Sequence, residues 1–259
     1  MTDKNSIGNV LKVALGVCLV CAVVVSTAAV TLRPYQEVNR NAFRQLNVLQ
    51  AAGLWEPGIN VERAFENIDQ RLIDFDTGEF VDRDGPFDPV RAARDPAMSR
   101  PLGHDPAGIG RRANVGEVFL ARNDAGELVR VVLPIHGYGL WSTMYGFLAL
   151  EPDLNTISGV SFFEHGETPG LGGEIENPRW QEQWVGTRLR DDGGELAFRV
   201  SRGPTPSGVA DADYRIDGLS GATITANGVE AMVRFWMGDE GYGPFLARMA
   251  DETAAPEVF

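Results

Sequence analysis

Beyond its first 32 residues this chain of 259 has no cysteine at all. Disulfides therefore do not hold its polar part together and cannot report its compartment. Histidine is nearly as scarce, and His104, His136 and His165 lack ligand-like spacing, so a histidine-rich metal site is not indicated. Positive charge is also short. The net charge is −13, and with Lys4, Lys12 and Asp3 set aside the remainder carries 21 basic and 35 acidic side chains, or −14. Phosphate backbones would be repelled by such a surface, and there is no Lys/Arg cluster and no zinc-finger spacing, which argues against a nucleic-acid partner. A catalytic triad, a P-loop and a Rossmann glycine pattern are missing too, so no chemistry on a small substrate is legible.

What is present begins with an apolar run. Residues 13–32 are 20 uncharged, mostly apolar positions, enough for about 30 Å of helix and one bilayer crossing. A cleaved signal peptide is the rival, with Ser26-Thr27-Ala28 as its cleavage site. The run continues past Ala28 to Leu32, longer than a signal core, and favours an uncleaved anchor. Cys18 and Cys21 lie inside it, three apart on neighbouring helix faces, and read as facing lipid or a partner helix. Lys4 and Lys12 precede the run while Arg33, Arg40 and Arg44 follow it, so charge does not favour an inward N-terminus.

After Pro34, the positions Val38, Ala42, Leu46 and Leu49 predict an amphipathic helix that Gly53 stops. Asn60 opens a second helical pattern through Val61, Ala64, Phe65, Ile68 and Leu72. Residues 81–112 are rich in Asp, Arg and Gly, with prolines at 86, 89, 96, 101 and 106, and predict a long irregular loop. Two hairpins follow, 116–122 with 127–135 and 145–150 with 156–164, turning at Asn123-Asp-Ala-Gly126 and Pro152-Asp-Leu-Asn155. The loop His136–Ser142 joins them. Residues 165–173 hold too much glycine for a strand interior. Asn177-Pro178 opens a short helix bearing Trp180 and Trp184, residues 195–201 form a strand, and 242–249 a last short helix before a polar tail. The expected fold class is α+β: an antiparallel sheet with flanking helices, preceded by one N-terminal transmembrane helix. The segments are 1–12, the span 13–32, a helical and loop region 33–115, a domain over 116–250, and a tail 251–259.

The most informative stretch is residues 217–230. Asp217-Gly-Leu-Ser-Gly221 has turn chemistry, and Val229, Met232, Val233 and Trp236 recur at helical spacing, so a helix starts near Ala222 or Thr223. Its first N–H groups and the positive end of its dipole suit a phosphate, with Gly221 and Ala222 offering little side chain to keep one away. The plainer reading is an N-cap by Ser220 or Thr223. With no histidine or lysine in the stretch, Thr223 is not a self-activated nucleophile.

Asp217-Gly-Leu-Ser-Gly-Ala-Thr223 resembles the flavinylation motif of the FMN-binding domain family. His136-Gly-Tyr-Gly-Leu-Trp-Ser-Thr-Met-Tyr-Gly146 and His165-Gly-Glu-Thr-Pro-Gly-Leu-Gly-Gly173, with the N-terminal anchor, are similar to the C-subunit branch of that family, from Na+-translocating NADH:quinone oxidoreductases. The resemblance implies FMN joined through a phosphoester to Thr223, attached by a flavin transferase using FAD. Ser220, Gly221 and Ala222 would surround the phosphate, and Asp217 opens the motif. Thr225 is the rival attachment site, two positions on and on another helix face. For the isoalloxazine, Gly170, Leu171 and Gly172 offer a close backbone and a packing side chain, and Glu167 and Thr168 offer hydrogen bonds, unless Glu167 is a carboxylate that stabilises its own turn. Trp141 is a second wall or a core aromatic, and Arg202 faces either the flavin or solvent. The implied function is an electron-relaying subunit without an active site of its own. Its partners would be the other subunits and the membrane, with the large domain periplasmic at the bacterial cytoplasmic membrane. The G subunit of the related Rnf complex and a flavin-free anchored binding module remain alternatives.

Overall fold

The computed structural model describes residues 6–83, 85, 87–203 and 211–254. Two compact units are separated between Arg44 and Gln45.

The first unit holds most of α1, a helix over Ile7–Ala51. Its apolar stretch is long enough to cross a membrane, and none of it is buried. A transmembrane helix over 13–32 and a separate helix after Pro34 were the expectation; instead α1 runs on through Pro34. The hydroxyl of Thr31 donates to the Thr27 carbonyl at 2.8 Å just before the proline, and Arg33 pairs with Glu37 one turn apart at 2.9 Å. Helix α1 stops where expected: Gly53 takes φ +68°, and the Leu54 N–H returns to the Leu49 carbonyl.

In the second unit the order is α2 (Val61–Phe65), β1 (Ile68–Asp74), β2 (Phe80–Val81), α3 (Pro89–Arg94), β3 (Ser99–Pro101), β4 (Arg111–Ala113), β5 (Val115–Arg122), β6 (Leu128–Tyr138), β7 (Thr143–Leu150), β8 (Ile157–Glu164), α4 (Pro178–Gln181), β9 (Arg199–Val200), β10 (Arg215–Ile216), α5 (Thr223–Trp236) and α6 (Gly243–Ala254). One six-stranded sheet, ordered β2-β1-β5-β6-β7-β8 and antiparallel throughout, carries the unit. The fold class is α+β, as the sequence pattern predicts.

Both hairpins form where the turn residues sit. The Asn123 side chain accepts from the N–H groups of Ala125 and Glu127, and that of Asp153 from Asn155 and Thr156, so each turn is closed by its own amide or carboxylate. Strand β6 continues to Tyr138, so only 139–142 remain of the loop expected from His136.

Three further expectations fail. The helix begun by Asn60 is correctly capped, Asn60 accepting from the Arg63 N–H at 3.0 Å, but it ends at Phe65. Ile68 and Leu72 belong to β1, which pairs along its whole length with β5. Their four-residue spacing imitates a helix, and pairing overrides it. Residues 81–112 are not featureless: Asp88 caps α3 with Pro89 in its first turn, and β3 pairs with β4. Arg112 ties this region down, 1% exposed, ion-paired with Asp76 and donating to the Glu240 carbonyl. Finally, the strand expected over 195–201 shrinks to β9, which pairs in parallel with β10. The proline-bearing loop and the polar tail fall largely on 204–210 and 255–259, outside the described residues.

Candidate functional site

Helix α5 packs its buried stripe, Thr225, Val229, Met232, Val233 and Trp236, toward the sheet. That leaves Thr223 and Ile224 outward at its first turn. Gly221, with φ +71°, bends the chain into the helix, and no side chain caps it. Neither Ser220 nor Thr223 acts as the N-cap; Ala222 occupies that position. First-turn amides that are neither helix-bonded nor side-chain-capped are free to bind an anionic group.

The two threonines differ sharply. Thr225 is 1% exposed and its hydroxyl donates to Glu167 Oε2 at 2.6 Å. Thr223 is exposed and lines a small pocket with Ser201, Arg202, Gly218, Leu219 and Asn227. Arg202 thus stands beside Thr223, and Ser220 and Gly221 are exposed next to it. Asp217 is held through its backbone: its carbonyl accepts from Trp180 Nε1 at 2.8 Å and its N–H donates to Gln183.

The loop 165–173 comes against the same turn. The Leu171 side chain lies on Gly221, where an added Cβ would sit 3.1 Å from Leu171 Cδ2. Gly172 is buried against α5, and a Cβ there would lie 2.6 Å from Thr225 Oγ1, so only glycine fits. Thr168, Gly170 and Leu171 are exposed, the Thr168 carbonyl closing the loop by accepting from Leu171 and Gly173. Trp141 is 63% exposed, so it is not a core aromatic, and Tyr138, Leu140 and Ile224 add further exposed apolar surface.

Glu167 was read either as a flavin contact or as a carboxylate that stabilises its own turn. In the structure both oxygens are taken by protein. Oε1 accepts from the N–H groups of Leu140, Trp141 and Ser142 at 3.0, 2.9 and 3.4 Å, and Oε2 from Thr225. Burial alone would raise its pKa; the hydrogen bonds from Thr225 and these amides outweigh that and keep it below the ordinary carboxylate range. His165 orders the same loop: Nδ1 accepts the Glu167 N–H at 3.1 Å, and Nε2 lies 3.0 Å from Glu176 Oε1. Three sequence motifs therefore meet at one carboxylate. That junction was missed from the sequence, although the helical stripe extended back four residues from Val229 points to a buried Thr225. Asn227 was missed as well. It also borders a cavity of about 600 Å³ further along α5, between Glu230, Arg234 and the loop at His104 and Pro106.

The model of the FMN-binding domain matches residues 139–238, which spans the loop at Trp141, the 165–173 loop and α5. The C subunit of the Na+-translocating NADH-quinone reductase of Yersinia pestis is 47% identical over 256 residues, covering 96% of this chain and 95% of that protein. This chain belongs to that C-subunit family. Its counterpart from Pseudomonas aeruginosa is 45% identical over 257 residues, covering 96% of this chain and 98% of the other. The crystal structure of the C subunit from Shewanella oneidensis superposes with a TM-score of 0.75 at 38% identity, over 82% of this chain and 96% of that one. The Parabacteroides distasonis C subunit gives 0.65 at 28% identity, over 83% of this chain and 96% of that one. The matches run along nearly the whole of these C subunits.

Proposed function

We propose that this chain is the membrane-anchored, electron-relaying C subunit of a Na+-translocating NADH:quinone oxidoreductase, carrying FMN covalently on Thr223. The observation that carries the proposal is the contrast at the start of α5. Thr223 is exposed at an uncapped helix N-terminus, while the Thr225 hydroxyl is buried on Glu167.

Attachment would proceed with FAD on a flavin transferase. The Thr223 oxygen attacks the flavin-side phosphorus, a new P–O bond forms, the pyrophosphate bond breaks, AMP leaves, and the hydroxyl proton passes to a base on the transferase. When bound, FMN supplies reversible electron uptake and release. The chain's own residues do the rest. First-turn amides of α5 and Arg202 balance the phosphate charge, Gly221 and Ala222 let it approach, and Leu171, the Gly172 backbone and Trp141 offer a flat apolar bed. A covalent tether retains the cofactor in the periplasm, where a lost FMN is not readily replaced.

Helix α1 would anchor the subunit in the bacterial inner membrane with the large domain on the periplasmic side. NADH oxidation, quinone reduction and sodium movement belong to the assembled complex.

The test is intact and peptide mass on protein co-expressed with its transferase. A gain of FMN minus one water is expected on the Thr223 peptide and not in Thr223→Ala. A colourless, unmodified wild type would restore the flavin-free binding module, and an adduct on Thr225 would move the site by two residues.

A further inference from the structure

The junction at Glu167 does more than hold three segments together. A strut there needs acceptors, and a neutral glutamine oxygen can also accept N–H groups, though with weaker bonds than a carboxylate makes. The chain instead places a full negative charge, 4% exposed, among four neutral donors. Among the described residues no arginine, lysine or histidine forms an ion pair with Glu167. His165 accepts the Glu167 N–H and turns its other nitrogen to Glu176. The charge is therefore dispersed over amide and hydroxyl dipoles and is not neutralised.

Its position is defined by close approach. A Cβ on Gly172 would lie 2.8 Å from Glu167 Oε2, and one on Gly139 2.5 Å from Oε1. The carboxylate thus sits directly behind the Leu171–Gly172 backbone and under the helix turn that presents Thr223, with Leu171 on Gly221 in front of it. A buried charge is poorly screened by solvent and acts over several ångströms far more strongly than an exposed one.

We propose that Glu167 is a positioning residue that also sets the reduction potential of the flavin, its buried negative charge disfavouring electron uptake by a ring seated on Leu171 and Gly172. This rests on the reading that FMN is carried at Thr223. Glu167 exerts its effect without touching the flavin, since it is buried and its oxygens face protein donors. Two substitutions change the field of that charge in opposite senses. Glu167→Gln keeps the shape and removes the charge. Thr225→Val keeps the charge and removes the hydroxyl that disperses it.

The experiment is a spectroelectrochemical redox titration of the full-length protein, co-expressed with its transferase, with adduct mass measured on every sample. The midpoint potential is expected to rise in Glu167→Gln and to fall in Thr225→Val, both still loaded on Thr223. Potentials unchanged from wild type in the loaded variants would reduce Glu167 to a strut and overturn the proposal. Should Glu167→Gln fail to load, Thr225→Val decides alone: a fall supports the charge effect and no shift refutes it. A wild type without the adduct on Thr223 removes the reading beneath it, an outcome distinct from a loaded wild type whose potential ignores both substitutions.

Discussion

The two faces of the six-stranded sheet are buried by different means. On one, Val118, Leu120, Val131, Leu133, Met144 and Leu148 meet α5, α6 and a set of large aromatics, with Trp180, Trp184, Phe198, Trp236 and Tyr242 among them. On the other, Phe119, Ala121, Val132, Phe147 and Ala149 receive Val48, Leu49, Ala51 and Ala52 from the end of α1, with α2 and Phe163 at the margin. Neighbouring residues on a strand point to opposite faces, so β5, β6 and β7 have to be apolar almost continuously. The first face needs large rings because it supports a helix whose N-terminus must be held still. On the second the helix end comes so close that a Cβ on Gly159 would lie 2.3 Å from the Ala51 carbonyl oxygen, while Phe119 and Phe147 pack edge to face beside it. Among its polar features is a buried bond from the Ser161 hydroxyl to Asn47 at 2.8 Å.

The sharpest way to break this comparison is to remove the site and leave the face intact. Thr223→Ala should lose covalent FMN completely, measured by peptide mass and in-gel flavin fluorescence, with the thermal midpoint unchanged because Thr223 is exposed. A parallel loss of stability would show that the site is part of the core.

Next come the faces themselves. Trp184 is fully buried and touches Phe162, Trp180 and Phe198, so Trp184→Ala should destabilise by about 3–5 kcal/mol in denaturant unfolding. Leu49→Ala on the opposite face should cost about 2–4 kcal/mol, since the helix end can settle toward the sheet. A larger loss from Leu49 than from Trp184 would reverse the ranking of the two faces. Ser161→Ala, which removes the buried bond to Asn47, should cost only about 1 kcal/mol in the same measurement.

The pH dependence sharpens the comparison at the first face. Burial of His136 between Trp236 and Tyr145, with ring centroids 4.8 and 5.6 Å away, pushes its pKa down to about 4, and the Asp105 carboxylate opposes the shift. The unfolded chain, with a pKa near 6.5, then binds the proton first. The stability contributed by neutral His136 is thus fully present above about pH 6.5 and lost as pH falls toward 4. Proton NMR of the ring should place its titration near 4, and a value near 6.5 would mean that the ring is open to water.

Much of this was legible without coordinates. The long apolar N-terminal helix, both hairpins and their turn residues, the stop at Gly53 and the start of α5 follow from residues close together in the chain. Asn123 and Asp153 close their turns, Asn60 and Asn177 cap their helices, and the Val229–Trp236 stripe sets the buried side of α5. The motif at Asp217–Thr223 pointed to the outward threonine before its exposure was known.

Only the tertiary structure decided what depends on distant partners. Ile68 and Leu72 sit at helical spacing, and nothing near them in the chain announces that β5 pairs with them instead. Glu167 stands 58 residues from Thr225 and 26 from Trp141, so its place at the meeting point of three motifs had no local signature. A turn or a cap is closed by residues that are already neighbours. A strand register or a buried carboxylate is settled by the segments that folding brings to it.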